Sequence, residues 1–507
     1  MQEKILSAEK LKKITLKLKS KGKKIILCHG VFDLLHVGHI NYFQEAKSYG
    51  DVLIVSLTSD QYVRKGPNRP AFNEANRAKA LAALKVIDYV VLSKNPTSIS
   101  IIGEIKPDFY CKGPDYKSHK HDVSGEIKNE VNAVKKIGGK TIYTSGAAFS
   151  SGKLLNEYTE IYNNQQKMFL NKIKKKYQFS QIRELIKSFE NLKVLVIGET
   201  IIDQYIFCEA LGKSGKEPVL ALRDLKTEEY LGGAAALSRH ISTFCKKLTL
   251  FSMVGERGDY LSKIKKKLPK NINFQYIKKK NSPTILKRRF LDDINKNKIL
   301  GVYKINDEIL PKIQDKMFCN KLKKIIPKYD LVIVSDYGHG LISKKAASLI
   351  CSLSKYSALN AQVNAANVGY HSMRNYKNIN CVIINENEIR HEMRNKNDKI
   401  ELLMKKLSMS QNFEDLIVTR GNRGSILYNK KNKKIDYCGA YAKTAVDKIG
   451  AGDAMLSIIS MCLKCKFDKD LALLTASLAA AQSVETIGNK ESINKTQILK
   501  NLENILK

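Results

Sequence analysis

The chain contains no tryptophan, and no apolar run in it approaches 18 residues. The second absence argues against a membrane-spanning helix, because about 18 to 20 consecutive apolar residues are needed to cross a bilayer. Acidic residues are few, 49 against 88 lysines and arginines, which leaves a formal net charge of +39. Because the lysines are scattered and rarely interleaved with aromatic residues, we expect a phosphate-rich small substrate and neither a nucleic-acid nor a membrane partner.

The ten cysteines stand at irregular spacings, and the one close pair, Cys462 and Cys465, has no second pair with which to form a zinc site. The first 24 residues are rich in lysine but include Glu3 and Glu9, and they lack the apolar core of a secretory signal. We therefore expect reduced thiols and a cytoplasmic protein. The 507 residues are enough for two or three domains.

The most informative stretch is CHGVFDLLHVGHI, residues 28–40, which follows the apolar run of residues 25–27. The apolar spacing after it is helical, so His36 and His39 lie where a strand turns into a helix. A helix N-terminus presents free amides and the positive end of the helix dipole, and histidines three apart point at the same anion. The stretch predicts a phosphate-binding turn; the alternative is two histidines near an ordinary turn.

Short apolar runs alternate with helical stretches over the first 155 residues, which predicts a parallel sheet with ligands at the carboxyl ends of its strands. After one such run, the segment Lys112–Tyr116 is predicted to hold Lys112 and Asp115 over the cleft. Arg77 is either a substrate contact or a solvated charge on a helix. Ser150 and Ser151 open a later helix, as N-caps or as phosphate ligands.

A second glycine-rich stretch, residues 450–455, precedes an apolar helix. Gly450, Ala451 and Gly452 are predicted to turn their amides inward as an anion hole, with the Asp453 carboxylate facing the same point. Such a carboxylate takes a proton from an attacking hydroxyl while the amides bind the transferred phosphoryl group. The stretch therefore predicts a small-molecule kinase; the alternative is an ordinary aspartate at a glycine-rich helix start.

Residues 28–40, 112–115 and 150–151 together resemble the cytidylyltransferase-like nucleotidyltransferases, and most closely the transferase half of the bifunctional heptose kinase/adenylyltransferases of lipopolysaccharide biosynthesis. Residues 193 to about 505 resemble the ribokinase-like (pfkB) sugar kinases, and most closely the kinase half of the same enzymes, in swapped order. The resemblance implies an α/β protein. Its domains would be a Rossmann-like transferase domain (1–156), a helical linker (157–191) and a ribokinase-like domain with a small β lid (192–507).

The resemblance also implies a role for each matching residue. In the transferase half, Gly30, Phe32, Asp33, His36 and His39 surround the nucleoside triphosphate with both histidines catalytic, Lys112, Ser150 and Ser151 bind phosphates, and Arg77 and Asp115 contact substrate. In the kinase half, Asp453 is the catalytic base, Gly450, Ala451 and Gly452 form the anion hole, Thr419 and Gly421 lie at ATP, Asp203, Gly232 and Gly233 contact the sugar, and Asn385 and Glu388 support the magnesium. Lys287 and Arg289, two apart on a predicted strand, hold a distal phosphate of the sugar or are solvated charges.

Several positions depart from the resembled families: Ala236, Lys448, Ile384, Phe149 and the segment 362–367, which includes Asn364. These positions lie in the expected sugar-binding region, around the catalytic residues and beside the serines expected at the transferase phosphates. Because some of them are in the sugar-binding region, the sugar need not be a heptose.

The expected function is the synthesis of a nucleotide-activated sugar by a kinase and a nucleotidyltransferase in one chain. The kinase uses ATP, the transferase uses ATP or CTP, and both need Mg²⁺; a homodimer through the kinase domain is expected. One alternative is a transferase for a non-sugar phosphate such as glycerol phosphate, joined to a regulatory kinase domain. Another is a nucleic-acid binder that uses the basic charge. A class I aminoacyl-tRNA synthetase is excluded by the lack of a Lys-Met-Ser-Lys-Ser element.

Overall fold

The computed structural model of the chain describes residues 2–63, 69–116, 126–145, 162–258, 260–363, 367, 371–442 and 445–506. The chain divides into two compact units. The first consists of residues 1–167 with 499–507, and the second of residues 168–498.

The described residues of the first unit form a six-stranded sheet. Its strands are Ile5–Leu6 (β1), Ile25–Gly30 (β2), Val52–Thr58 (β3), Tyr89–Ser93 (β4), Phe109–Lys112 (β5) and Lys140–Tyr143 (β6). All neighbours are parallel, in the order β1-β4-β3-β2-β5-β6. This confirms the parallel sheet expected from the alternating pattern. Successive strands add outward in opposite directions from β2, so the ligand crevice is expected between the carboxyl ends of β2 and β5.

Helices cover both faces of this sheet. They are Ala8–Ser20 (α1), Val37–Ser48 (α2), Glu74–Ala82 (α3), Ile99–Ile105 (α4) and Glu126–Lys136 (α5). On β3, Leu53 and Val55 join one apolar cluster, while Val52 and Ile54 join a second cluster. Because successive side chains of a strand point to opposite faces, a strand buried on both sides is apolar throughout.

The region predicted as a linker contains two helices, Asn164–Lys176 (α6) and Phe179–Lys187 (α7). In α6, Leu170 and Ile173 are buried. Lys172 and Lys176 on its exposed side form ion pairs with Asp470 and Asp468. The basic run is therefore partly paired with carboxylates rather than wholly solvated.

The second unit contains a nine-stranded sheet and a four-stranded sheet. In chain order, its strands are Lys193–Gly198 (β7), Thr200–Lys213 (β8), Leu220–Gly232 (β9), Lys247–Arg257 (β10), Ile272–Pro283 (β11), Ile285–Asp292 (β12), Lys298–Lys304 (β13), Leu331–Asp336 (β14), Ser357–Ala361 (β15), Cys381–Asn385 (β16), Asp415–Thr419 (β17), Ser425–Asn429 (β18) and Lys434–Cys438 (β19). The larger sheet has the order β11-β10-β7-β14-β15-β16-β17-β18-β19 and is parallel from β11 to β17. Strands β13-β12-β8-β9 form the smaller one, called the lid sheet below.

The remaining helices are Gly233–Ser242 (α8), Tyr260–Lys267 (α9), Lys312–Ile325 (α10), Lys344–Leu353 (α11), Glu386–Glu392 (α12), Ile400–Gln411 (α13), Ala451–Lys464 (α14), Lys469–Val484 (α15) and Lys495–Leu506 (α16). Helix α14 is buried from Asp453 to Leu463. A helix that is apolar on every side belongs inside a core, so the anion-hole stretch begins a central helix. Among the described residues, no helix has both the length and the apolarity to cross a membrane.

Candidate active sites

The histidine stretch of the first unit lies at the carboxyl end of β2, as its pattern predicts. His36 is the N-cap of α2, and His39 follows in the first turn, where its backbone N–H donates to the His36 carbonyl at 2.8 Å. The two imidazole rings are stacked with their centroids 3.9 Å apart. Two polar rings are therefore held together at a helix N-terminus, where free amides favour an anion.

Gly30 and Phe32 shape the turn that leads to these histidines. Phe32 has a positive φ of 46°, and a Cβ on Gly30 would lie 2.9 Å from the Phe32 ring. The Phe32 ring is itself buried and meets His39 edge-on at 5.4 Å. Phe32, expected around the nucleotide, thus supports a histidine from the core side.

Arg77 lies beneath the turn and is 2% exposed. Its guanidinium donates to the backbone carbonyls of Val31 (2.5 Å), Thr58 (3.0 Å) and Phe72 (2.9 Å), and it pairs with Asp60 at 2.5 Å. This contradicts the interpretation as a solvated charge. The buried side chain supports the loop of the motif through these contacts, and its expected contact with substrate stays a prediction.

Asp33 also has a supporting position. One carboxylate oxygen accepts the backbone N–H groups of Ala71 and Phe72 at 2.7 and 3.1 Å, and Arg69 lies 3.5 Å from the other. Asp33 is 3% exposed. Its contacts link the motif to the segment before α3, and its expected contact to nucleotide stays a prediction.

Lys112 ends β5, the strand beside β2. Its ammonium forms a buried ion pair with Glu130 at 2.8 Å and lies 5.0 Å from the centre of the Tyr116 ring. Burial alone lowers the pKa of Lys112, but nearby Tyr110 and Glu130 raise it above its ordinary value, so the ammonium stays charged. Lys112 thus places a positive charge at the expected ligand crevice, although a carboxylate already holds it.

Three other predicted positions add little to this geometry. Asp115 lies in the short 3₁₀ turn Pro114–Tyr116, and its side chain is outside the described part of the chain. Ser150 and Ser151 are outside the described residues. Sequence reasoning did not assign a role to His29, which is half-buried; desolvation lowers its pKa to about 4, and its Nδ1 lies 3.1 Å from the Ser56 hydroxyl.

Asp453 of the second unit is in the first turn of α14 and is 6% exposed. The Tyr337 hydroxyl lies 2.9 and 3.0 Å from its two carboxylate oxygens. Burial raises the pKa of Asp453 to about 7, against the lowering effect of the Tyr337 hydrogen bond. A carboxylate with this pKa accepts a proton near neutral pH, as a general base must.

The anion-hole residues begin the same helix. Gly450 is its N-cap with φ +88°, and a Cβ there would lie 2.1 Å from the side-chain oxygen of Asn489. Only glycine fits both the backbone angle and the space. Ala451 and Gly452 follow in the first turn, where backbone N–H groups have no partner within the helix. These amides and Asp453 therefore share one helix N-terminus, as predicted.

The predicted sugar contacts come together on the lid sheet. Lys287 of β12 is in register with Asp203 of β8, and Arg289 pairs with Asp203 at 2.5 Å. The strand placement of Lys287 and Arg289 is thus confirmed, and both are largely buried rather than solvated. Burial lowers the pKa of Lys287, whose ammonium lies 5.7 Å from the centre of the Tyr337 ring.

Gly232 and Gly233 connect this group to α8. A Cβ on Gly232 would lie 2.2 Å from a carboxylate oxygen of Asp203, and one on Gly233, with φ +58°, would lie 2.4 Å from the Glu199 carbonyl. The two glycines therefore let the backbone pass close to the acidic side chain. This agrees with the close approach expected from the sequence.

Asn385 and Glu388 form a capping box at the start of α12. The Asn385 side chain accepts the Glu388 N–H at 2.8 Å, and the Glu388 carboxylate accepts the Asn385 N–H at 3.0 Å. Burial raises the pKa of Glu388 to about 7, and its charge in turn raises the pKa of Asp453. The motif thus caps α12 and also places a carboxylate close enough to raise the pKa of Asp453.

Thr419 and Gly421 lie at the end of β17, and Gly421 has φ +59°. The Glu386 carboxylate binds Arg420 at 3.2 Å and Arg423 at 2.6 Å. These ion pairs attach the turn after β17 to the start of α12. The predicted ATP region is therefore held against the capping box.

Sequence reasoning missed Glu199 and Tyr337 as site residues. Glu199 is fully buried and accepts the backbone N–H groups of Tyr337 (3.0 Å), His339 (3.2 Å) and Leu341 (3.3 Å). It thereby fixes the segment after β14 that carries Tyr337 to Asp453. The sequence did contain one indication of their role: both residues directly follow apolar strands, and the carboxyl ends of parallel strands meet at one edge of the sheet.

The departures from the families lie beside this geometry. Ala236 and Ile384 are buried, Lys448 is exposed, and Asn364 and Phe149 are outside the described residues.

Comparison with known proteins finds two families along the chain. The pfkB family carbohydrate kinases match residues 191–496, which is more than half of the chain. A cytidylyltransferase-like family matches residues 27–185. The transferase-like segment precedes the kinase segment, which confirms the expected order.

The curated relatives that match this chain include proteins named bifunctional protein HldE. The protein from Aliarcobacter butzleri is 44% identical over 139 residues, which is 27% of this chain and 29% of the relative. The protein from Geobacter metallireducens is 54% identical over 100 residues, 19% of this chain and 20% of the relative. Each match therefore spans less than a third of the relative.

Among solved structures, phosphofructokinase-2 from Escherichia coli in complex with substrates and products superposes with a TM-score of 0.50 at 13% identity. The superposition covers 62% of this chain and all of that protein. It confirms the ribokinase-like fold of the second unit.

Proposed function

The chain belongs to the pfkB family of carbohydrate kinases, and from its two sites we propose that it is a bifunctional enzyme that makes a nucleotide-activated sugar. The second unit phosphorylates the anomeric hydroxyl of a sugar or sugar phosphate, heptose-like in size. The first unit joins the resulting 1-phosphate to a nucleotide and releases pyrophosphate. The observation that carries this proposal is the Asp453 carboxylate, buried beside the amides of Gly450–Gly452 at one helix N-terminus.

In the kinase step, Asp453 takes the proton of the acceptor hydroxyl. The hydroxyl oxygen then bonds to the γ-phosphorus of ATP while the bond from that phosphorus to the bridging oxygen breaks, and ADP leaves. The amides at the start of α14 bind the oxygens of the transferred phosphoryl group. Asp203 and Lys287 orient the acceptor from the lid sheet, with Arg289 holding Asp203 in place.

In the transferase step, an oxygen of the sugar 1-phosphate attacks the α-phosphorus of ATP or CTP, and pyrophosphate carries away the displaced bonding pair. The nucleophile is already ionised, so the site needs no general base. His36, His39 and the N-terminus of α2 bind the triphosphate oxygens, and Lys112 adds a fixed positive charge.

Magnesium fits the kinase site through Glu388, a buried carboxylate whose pKa is raised to about 7 by burial. When bound, the ion neutralises the negative charge of the nucleotide phosphates. Among the described residues, no group of three or more acidic, histidine or cysteine side chains forms a metal cage. We therefore expect Mg²⁺ to arrive with the nucleotide, with Glu388 holding it from the protein side.

We also propose a homodimer through the lid sheet. Its edge strand β13 is exposed along its whole length and carries Leu300, Val302 and Tyr303, and the opposite edge strand carries the exposed Leu220 and Leu225. An exposed apolar edge strand favours pairing with another chain. Light scattering after size-exclusion chromatography should give twice the chain mass for the wild-type protein and the mass of a single chain for Leu300→Lys. A monomeric wild-type protein would contradict this part.

The proposed setting is the cytoplasm, where ATP and sugar phosphates occur together. All ten cysteines are free and most are buried, as expected for a reducing compartment.

The function is tested by offering the purified chain a panel of sugars and sugar phosphates with each nucleoside triphosphate and Mg²⁺. Mass spectrometry follows phosphorylated sugar, pyrophosphate and nucleotide sugar. We expect a nucleotide sugar to form from an acceptor without a 1-phosphate only in mixtures that allow both the sugar phosphorylation and the nucleotidyl transfer. A nucleotide product from glycerol phosphate, with no sugar phosphorylated, would instead support the alternative with a regulatory kinase domain. Tight, salt-sensitive binding of arbitrary DNA or RNA that is still present at moderate salt would point to a nucleic-acid binder.

A further inference from the structure

Asp447 lies just before the anion-hole residues, and its buried carboxylate has four donors. Oδ1 accepts from the Lys298 ammonium at 2.6 Å and the Ile449 N–H at 3.1 Å. Oδ2 accepts from the Tyr205 hydroxyl and the Gly488 N–H, both at 3.0 Å. Burial alone raises the pKa of this carboxyl, but Lys298 and the amides hold it below its ordinary value, so Asp447 stays charged.

Two of these donors belong to the loops that form the anion hole. Ile449 directly precedes Gly450, and Gly488 directly precedes Asn489, whose side chain fills the space where Gly450 has no Cβ. Asp447 therefore fixes both sides of the turn that presents the amides of residues 450–452. The precision of such a turn matters because donors stabilise a transferred group only when they are already aimed at it.

The other two donors belong to the lid sheet. Tyr205 is on β8 and Lys298 is on β13, and strand β12 lies between them. The Tyr205 ring is fully buried, with the Arg289 guanidinium 5.5 Å from its centre. Arg289 pairs in turn with Asp203. A continuous set of contacts therefore runs from the proposed acceptor-binding pair to the anion hole.

We propose that Asp447 is a positioning residue that ties the anion hole to the lid sheet, with Lys298 supplying the charge that holds the connection. The amides of the turn keep their phosphoryl-binding arrangement while the strands carrying Tyr205 and Lys298 are in contact with Asp447. This inference rests on the proposed kinase function of the second unit. It implies that the lid sheet contributes to phosphoryl transfer as well as to acceptor binding.

The test compares Lys298→Met with Lys304→Met. Both lysines lie on β13, on opposite sides of the irregularity between Lys298 and Leu300, and Lys304 forms no ion pair within the described residues. Lys298 is 38% exposed on its side chain, so methionine can replace it without leaving a cavity. We expect Lys298→Met to lower kcat of sugar phosphorylation about tenfold or more, with the acceptor KM within about twofold, because misplaced groups cost rate. Lys304→Met should match wild type, and Lys298→Arg should restore most of the rate.

A second measurement does not depend on turnover. Hydrogen exchange followed by mass spectrometry should show faster exchange at residues 447–455 in Lys298→Met and in Tyr205→Phe, and unchanged exchange in Lys304→Met. Unaltered exchange in both test variants would overturn the proposal, as would a loss expressed in KM alone. A wild-type chain that phosphorylates no acceptor would overturn the proposed kinase function, while the exchange measurement would still decide whether Asp447 positions the turn.

Discussion

The two sites use the same element for opposite chemical needs. In each site, polar residues lie at the N-terminus of a helix. This helix is α2 in the first unit and α14 in the second. The second places a carboxylate with a pKa of about 7 there, whereas the first places two stacked imidazoles. Under the proposed function, the difference follows from the nucleophiles. A sugar hydroxyl must lose a proton as it attacks, and a sugar phosphate is already ionised, so only the kinase site needs a base.

They also differ in how their residues are gathered. The two histidines proposed as catalytic come from one short stretch, and the residues that support this stretch bind mostly to backbone atoms. The kinase site draws on residues far apart in the chain: Tyr337 and Asp453 are 116 residues apart, and Tyr205 and Asp447 are 242 apart. The local site can be disabled by changes within one turn, while the dispersed site has several distant points of failure.

Asp453→Asn should have the largest effect on this contrast. Losing the proton acceptor should lower kcat of sugar phosphorylation about 10³-fold, since general bases contribute about 10² to 10⁴. Nucleotidyl transfer from a supplied sugar 1-phosphate should be unchanged. Coupled assays of ADP and pyrophosphate release measure the two steps separately, with Asp224→Asn, an exposed lid-sheet position, as the control. Loss of both activities would refute two independent sites.

His39→Ala should produce the converse result. Removing one ring of the stacked pair should slow pyrophosphate release about 10²-fold, by loss of a group aimed at the phosphates. Sugar phosphorylation should be unaffected. Asn41→Ala, exposed on the same helix, is the matched control. A transferase rate equal to wild type would remove His39 from the catalytic residues.

Arg77→Met tests whether the local site depends on a buried support. The change leaves three backbone carbonyls and Asp60 without their donor, and we expect the first unit to lose about 3 kcal/mol of unfolding free energy. Scanning calorimetry should show an earlier transition for that unit, while Lys79→Met, exposed on the same helix, should leave it in place. A normal melting profile combined with a raised substrate KM would instead indicate that Arg77 contacts substrate.

The pH dependence gives the smallest and most specific contrast. Asp453 must be deprotonated to act, so kinase kcat/KM should fall about tenfold per pH unit below about 7 and level off above it. Nucleotidyl transfer should lack this limb. Tyr337→Phe removes a hydrogen bond that lowers the pKa of Asp453, so its kinase profile should shift to higher pH. A profile that does not move would mean that another group sets the limb.

The sequence by itself determined the fold class and the two helix starts, because apolar periodicity and glycine-rich turns are local properties of the chain. It also placed Lys287 and Arg289 on one strand face, because alternation has a period of two. Departures arose where burial decides the role. Arg77 is in a helix as expected, but packing turned its charge toward backbone carbonyls, and Asp33 likewise faces amides.

Only the tertiary structure brought Tyr337 to Asp453, and Lys298 with Tyr205 to Asp447. These partners depend on strand order and register, and a sequence pattern carries no information about which distant strand will lie beside which loop. The same holds for Glu199. The apolar strand before it predicts that this residue is buried, but it does not predict which three backbone N–H groups its carboxylate accepts. Buried charges need partners because desolvation is costly, and the fold decides which partners are within reach.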